Sequence, residues 1–392
     1  MKTFIKKYWY LLCLPILSIV GGMWQAQFTY DGYHWGFMLS NALDLINGKI
    51  PYKEIFLEYG FLGTFIHALT LMLFDKNILS LMLITCFLYS LSILFIALIV
   101  EKITFNKYYS LLSTVVIFFI YPWPVTPWPN FISFFFTIIF CYFYLYEEKK
   151  YSILSGAALA FAYLTFTTVY NFIIIFFLSA ILIFFIINYK FLNKNFIQKN
   201  LYVFFSFLFI LILFFIYLSL NNLFIIWMSY QSLPFIQAEA NDIEIFSKIL
   251  DYFYFLFVFS WKNFIYEPQI FFYSILFVAN IFLIFKLYIN FYKNKNFSNF
   301  NLNLFVINIM FLSLNFYAQL SDVDKFASSL SLAIISLFYL FNLIKITDNK
   351  IIVNTIIIFI SLYSFVFAFG LENSQSGGSR AAYYKHLKNI DV

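Results

Sequence analysis

The chain has 392 residues, of which 63% are hydrophobic and only 11% charged. Soluble domains carry about 25% charged residues, so this composition cannot clothe a water-facing surface and excludes a soluble enzyme or a string of soluble domains. The formal charge of +6 does not point to nucleic acid either, because the lysines are dispersed and Arg380 is the only arginine, whereas nucleic-acid readers concentrate Arg and Lys on one face.

Lys2, Lys6 and Lys7 precede an apolar run from Tyr8 to about Trp24, and no small-x-small cleavage site follows, so the run reads as an uncleaved anchor. Further apolar runs cover Tyr59 to Phe74, Ile78 to Val100, Tyr108 to Tyr121 and Phe131 to Tyr146, then Tyr151 to Asn188, long enough for two crossings. Leu201 to Leu220, Ile270 to Tyr288, Leu302 to Leu320, Phe326 to Ile344 and Ile351 to Leu371 complete the series. Because about 20 apolar residues span a bilayer, the expectation is an all-α polytopic membrane protein, a bundle of about 11–13 transmembrane helices. It would form one transmembrane domain over residues 1–371, with a short polar tail over 372–392. Cys13, Cys86 and Cys141 lie inside apolar runs without zinc or disulfide spacing, and read as packing residues. The abundance of Phe, Ile, Asn, Lys and Tyr resembles a low-GC bacterial coding bias.

Lysines cluster at the amino terminus, at Lys190, Lys194 and Lys199, at Lys286, Lys293 and Lys295, and at Lys345 and Lys350. The positive-inside rule makes these cytoplasmic and turns residues 29–60, 221–268, 321–325 and the tail outward. That assignment requires an odd number of crossings where twelve runs are counted, and Tyr108 to Tyr121 is the expected exception. The Asn- and Lys-rich stretches Lys190 to Asn200 and Lys293 to Asn303 read as solvated cytoplasmic turns.

The first outer loop is more than a connector. After Asp31 and Gly32, Trp35, Met38, Leu39, Ala42 and Ile46 recur at helical spacing, which predicts an amphipathic helix over 33–47 lying in the membrane interface. Gly48 supplies a stop, and Pro51 opens a second short element with Tyr52, Lys53, Glu54 and Glu58; were it helical, Glu54 and Glu58 would share a face. Asp31 also suits an N-cap, and Lys53 and Glu54 a solvated pair. His67, among apolar residues, reads as a packed histidine.

The order Asp31-Gly-Tyr-His34, then Gly48-Lys-Ile-Pro51-Tyr52-Lys53-Glu54, then Glu58-Tyr59-Gly60-Phe61-Leu62, resembles the GT-C superfamily of membrane glycosyltransferases, which includes protein O-mannosyltransferases and lipid A aminoarabinose transferases. Tyr59 stands where the aminoarabinose transferases carry a phosphate-binding lysine. The resemblance implies transfer of a sugar from an undecaprenyl-phosphate donor to a glycan, lipid or protein acceptor of the cell envelope, on the outer side of a bacterial inner membrane. The lipid carrier brings the activated sugar, so no nucleotide cofactor is implied, and no glycine-rich phosphate loop is present. Such chemistry needs a base for the acceptor proton and a cationic answer to the departing phosphate. Asp31 is the expected base, and Lys53, His34 or a divalent metal held partly by Glu58, with His34 as a second ligand, the expected answer. Glu54 and Tyr59 are expected beside the substrate.

Two further places are candidates for substrate contact. Asp322 and Asp324 lie in Ser321 to Lys325, whose three charges would cost on the order of 8 kcal/mol at mid-bilayer and must reach water or pair internally. Tyr121 to Asn130 holds four prolines, which forbid a continuous helix, and its Trp123 and Trp128 suit a sugar face or a prenyl chain. Gln231, Glu239, Asp242 and Glu244, in an outer loop, are acceptor-side candidates. The competing reading is a transporter or flippase of lipid-linked sugars, which would use polar groups near mid-membrane such as Thr165, Thr167, Thr168 and Asn171. A polymerase of oligosaccharides is disfavoured by the lack of arginines in the outer loops.

Overall fold

The computed structural model describes residues 2–27, 34–57, 59–120, 126–188, 192–231, 268–294, 298–315 and 333–342. The helices in order are α1 (Lys2–Ala26), α2 (His34–Ile46), α3 (Phe61–Leu73), α4 (Ile78–Thr104), α5 (Lys107–Ile120), α6 (Pro129–Tyr144), α7 (Lys149–Thr165), α8 (Thr167–Asn188) and α9 (Lys194–Leu220). They continue with α10 (224–231), α11 (Pro268–Asn294), α12 (Asn299–Asn315) and α13 (Ala333–Asn342). No named strand occurs among the described residues. Segments of α1, α4, α8, α9 and α11 are long and apolar enough to cross a membrane. Outward faces of α8, α9 and α11 expose Ile183, Ile187, Phe205, Phe209 and Phe285, a surface tolerable only against lipid. The protein is a multi-pass helical membrane bundle.

Local sequence sets the helix ends. Asn77 caps α4, its side chain accepting from the Ser80 N–H, and α4 closes on Phe105 in the left-handed region. Pro129 opens α6 at a position where its missing N–H costs nothing. The long run Tyr151 to Asn188 divides, as expected, into α7 and α8, broken at Phe166. α7 packs on α9 so closely at Gly156 that a Cβ there would collide with Ser206 and the Val203 carbonyl.

The bundle has two distinct ends. The start of α1, the α4–α5 turn, the α6–α7 turn, the α8–α9 turn and the α11–α12 turn gather at one, which carries Lys102, Lys107, Lys149, Lys150, Lys194 and Lys199; it is called here the basic end. The opposite, loop end holds α2, α3 and the start of α6, with the junction of α7 and α8 and the end of α9.

This arrangement corrects the count of crossings. α5 is only about 21 Å long, but it pairs with α4, Ser110 Oγ donating to the Ala97 carbonyl at 2.8 Å. It leads from the basic end toward Trp128, which lies at the loop end against Tyr59. Among the described apolar runs, the one that does not traverse the bundle is α3. Its start packs on Leu164, Thr165 and Phe214, and its end on Leu81 of α4, all at the loop end. Hydropathy alone cannot separate a short buried helix lying across one end from a crossing, because both are continuously apolar.

The stretch Lys190 to Asn200 is corrected too. Lys199 is buried, not solvated. Its Nζ donates to the Tyr144 carbonyl and to Asn303 Oδ1 at 2.9 Å, and lies 3.5 Å from Glu147 Oε1. Asn303 Nδ2 in turn donates to Glu147 Oε1 at 2.7 Å. The cluster ties α6, α9 and α12 together from residues far apart in sequence.

Candidate functional site

The loop end is built from α2 outward. α2 runs over the expected residues, and its apolar stripe is used as expected in sequence but against a different partner. Trp35 packs with Ala26, Met82 and Cys86, and Met38 and Ala42 pack with Ala68 and Leu71 of α3 and Leu81 of α4, so the stripe faces protein. Ala26 and Trp35 meeting in one cluster brings together the two ends of the connector that contains Asp31. Asp31 itself lies outside the described residues; His34 begins α2, with its backbone alone described.

α2 stops at Gly48, whose φ of +83° suits glycine, while Lys49 Nζ pairs with Asp44 at 2.8 Å. Residues 50–55 then form a tight turn rather than a helix. Tyr52 takes a φ of +67°, its N–H donates to the Ile55 carbonyl at 3.0 Å, and the Glu54 N–H donates to Ile50 O at 2.9 Å. Spacing of four along a helix therefore does not describe Glu54 and Glu58, and Glu58 lies outside the described residues. Glu54 accepts from the Ile50 N–H at 2.8 Å through Oε2. It makes no ion pair with Lys53; both are exposed, and Lys53 has no ion-pair partner among the described residues.

The turn is fixed from beneath. The Tyr52 ring is buried against Phe214 and Tyr230, and burial pushes its phenol well above the ordinary range. Asn41, on α2, is buried and donates to the Phe56 carbonyl at 2.8 Å. Next comes Tyr59, whose carbonyl accepts from the Thr167 N–H at 2.7 Å, locking the chain to the first residue of α8. Gly60 is required by proximity, since a Cβ would lie 2.5 Å from the Leu164 carbonyl oxygen.

Of the expected substrate-contact residues, the structure brings Tyr59 and Trp128 together, with ring centroids 6.1 Å apart. Trp128 also borders the Trp35 and the Met38 clusters. Trp123, Asp322, Asp324, Glu239, Asp242 and Glu244 lie outside the described residues. Gln231 is described: its Oε1 accepts from Asn171 Nδ2 at 2.9 Å, and Asn171 Oδ1 accepts from the Tyr163 hydroxyl at 2.8 Å. Thr165, Thr167, Thr168 and Asn171, the polar groups of the carrier reading, thus sit at the α7–α8 junction in the loop end.

Periodicity gave no hint of one property of this region. The Trp35 indole N–H, the Thr167 hydroxyl, His67 Nε2 and the Trp227 indole N–H are buried and have no hydrogen-bond partner among the described residues. Buried polar groups are nearly always paired, and orphans mark strain, function or unplaced water. His67 is packed, as expected, but not hydrogen-bonded through Nε2. Among the described residues no three His, Cys, Asp or Glu side chains converge, and the side chains of Glu58 and His34 are not described, so the described residues supply no metal ligand set.

Comparison with protein-family models gives no match, and comparison with curated protein sequences gives none either. Among solved structures, the crystal structure of the Archaeoglobus fulgidus oligosaccharyltransferase in complex with Zn and sulfate is similar over 97% of this chain, at 15% identity and a TM-score of 0.59. The chain spans 56% of that protein's length. At this identity the likeness is one of fold, and it agrees with the all-α polytopic membrane architecture read from the sequence.

Proposed function

We propose that the chain is a glycosyltransferase of GT-C type in a bacterial inner membrane. It moves a sugar from an undecaprenyl-phosphate carrier to a glycan, lipid or protein of the cell envelope. The carrying observation is the loop end of a bundle whose fold is shared with an oligosaccharyltransferase: an exposed Lys53 on a hydrogen-bonded turn, an aromatic pair at Tyr59 and Trp128, and buried polar atoms without partners among the described residues. The positive-inside rule puts the basic end in the cytoplasm, so the loop end faces outward.

In this reading Asp31, on the connector closed by Ala26 and Trp35, takes the proton from an acceptor hydroxyl. The acceptor oxygen attacks the anomeric carbon, the bond to the carrier phosphate breaks, and the phosphate leaves with the electron pair. Lys53 and His34 answer that charge; a divalent metal, if bound, would be held by Glu58 and His34 and would supply further positive charge. Asp322 and Asp324 contact the substrate, and Trp123 and Trp128 hold the sugar or the prenyl chain. Lipid extracts from cells with and without the gene test the proposal. One prenyl-phosphate sugar should accumulate in the deletion strain and return to its normal level on complementation, and identical extracts would contradict it.

A further inference from the structure

On α11, far from the loop end, Val278, Ile281, Phe282, Phe285 and Ile289 share one outward face with Lys286 and Asn290 and line a groove of about 590 Å³. These positions recur at steps of three and four, so the groove runs along the helix axis. From residue 278 to 290 it covers about 18 Å, at 1.5 Å per residue. The hydrocarbon core is about 30 Å thick, so the groove is about as long as one leaflet is deep. Its apolar part lies toward mid-membrane and its polar part toward the basic end, where α11 closes four residues later with Lys293 in its last turn.

The position of the charge decides what fits. Lys286 is half-buried at the groove's polar end, and no described residue forms an ion pair with it. A lysine within two or three turns of a helix end can extend along apolar surface to set its ammonium at the headgroup level. A neutral or zwitterionic lipid would leave that cation without net compensation; an anionic phosphate supplies it, and Asn290, one turn further on, adds a hydrogen-bonding amide.

We propose that this groove is a binding site for an anionic phospholipid of the basic-end leaflet, its acyl chain along Ile281, Phe282, Phe285 and Ile289 and its phosphate on Lys286 and Asn290. The site is independent of the proposed sugar transfer. By the positive-inside rule its leaflet is the cytoplasmic one, and a cation near the membrane surface favours anionic lipid about fivefold.

The test is native mass spectrometry of the full chain, released from nanodiscs holding equal parts of phosphatidylglycerol and phosphatidylcholine. The wild type should retain phosphatidylglycerol about fivefold in preference. Lys286→Gln should lose that preference, Lys293→Gln should keep most of it, and Phe282→Ala with Phe285→Ala should lower retention of both lipids. Thermal unfolding of each variant guards against loss of the fold, and a variant that fails to fold is replaced by Lys286→Met, for which the same loss is expected. Equal retention of the two lipids by the wild type, or an undiminished preference in folded Lys286→Gln and Lys286→Met, would overturn the proposal.

Discussion

The two ends of the bundle hold their lysines in opposite ways. At the basic end, Lys199 is buried and fully engaged by the Tyr144 carbonyl, Asn303 and Glu147. At the loop end, Lys53 stands exposed without an ion-pair partner among the described residues, and Trp35, Thr167, His67 and Trp227 each bury a polar atom that has no hydrogen-bond partner among them, as Asn299 Oδ1 does at the basic end. A cation taken out of water is tolerable when its donors are satisfied, and such a cluster fixes helix positions. An unpaired buried donor costs about 1–3 kcal/mol, which a structure bears where a ligand or water is to be received. The contrast is one of lysines: Lys199 is spent on holding helices together, and Lys53 is not.

If that division is right, variants at the two ends should fail differently. Asp31→Asn should give the largest effect, a loss of sugar transfer of about 100-fold or more, as expected of a general base, with unfolding unchanged; a stability loss without loss of turnover would make Asp31 a helix cap only. Gly60→Ala should follow, since its Cβ meets backbone rather than a yielding side chain. It should destabilise by about 1–3 kcal/mol and lower transfer as well, read by thermal unfolding and turnover together. Lys199→Gln should cost about 2 kcal/mol, discounted because Glu147 is about half exposed. Its turnover per folded molecule should stay at the wild-type value; a selective loss of turnover would dissolve the contrast. The smallest effect is expected for Thr167→Val, which removes an orphan hydroxyl while keeping shape. Unfolding of the ligand-free protein should shift by less than about 1 kcal/mol, in the stabilising direction.

Much of this was legible in the sequence where a pattern is local. The apolar runs, the division of Tyr151 to Asn188 into two helices, the extent of α2 and its stop at Gly48 all follow from composition, period, length or one residue's backbone freedom. What stayed hidden depends on partners distant in sequence. The turn at 50–55 looked like a helix start because Pro51 and two acids suit one, but the burial of Tyr52 against α9 and α10 and the pull of Asn41 on Phe56 draw the chain into a turn. Lys199 looked solvated because its partners on α6 and α12 are set by the fold. Of the candidate site, the sequence marked Tyr59 and Trp128 but not the orphan atoms around them, since an unpaired group is defined by what every other element fails to supply.

The most direct measurement is photocrosslinking of the membrane-embedded protein with a prenyl-phosphate sugar that carries a photoreactive group on its sugar, followed by peptide mapping. Adducts should fall within residues 31–60 and 123–131 and disappear when excess unmodified carrier sugar is added. Adducts confined to the basic end, around Lys102, Glu147 and Lys199, or labelling that excess carrier sugar does not displace, would contradict a sugar-transfer site at the loop end.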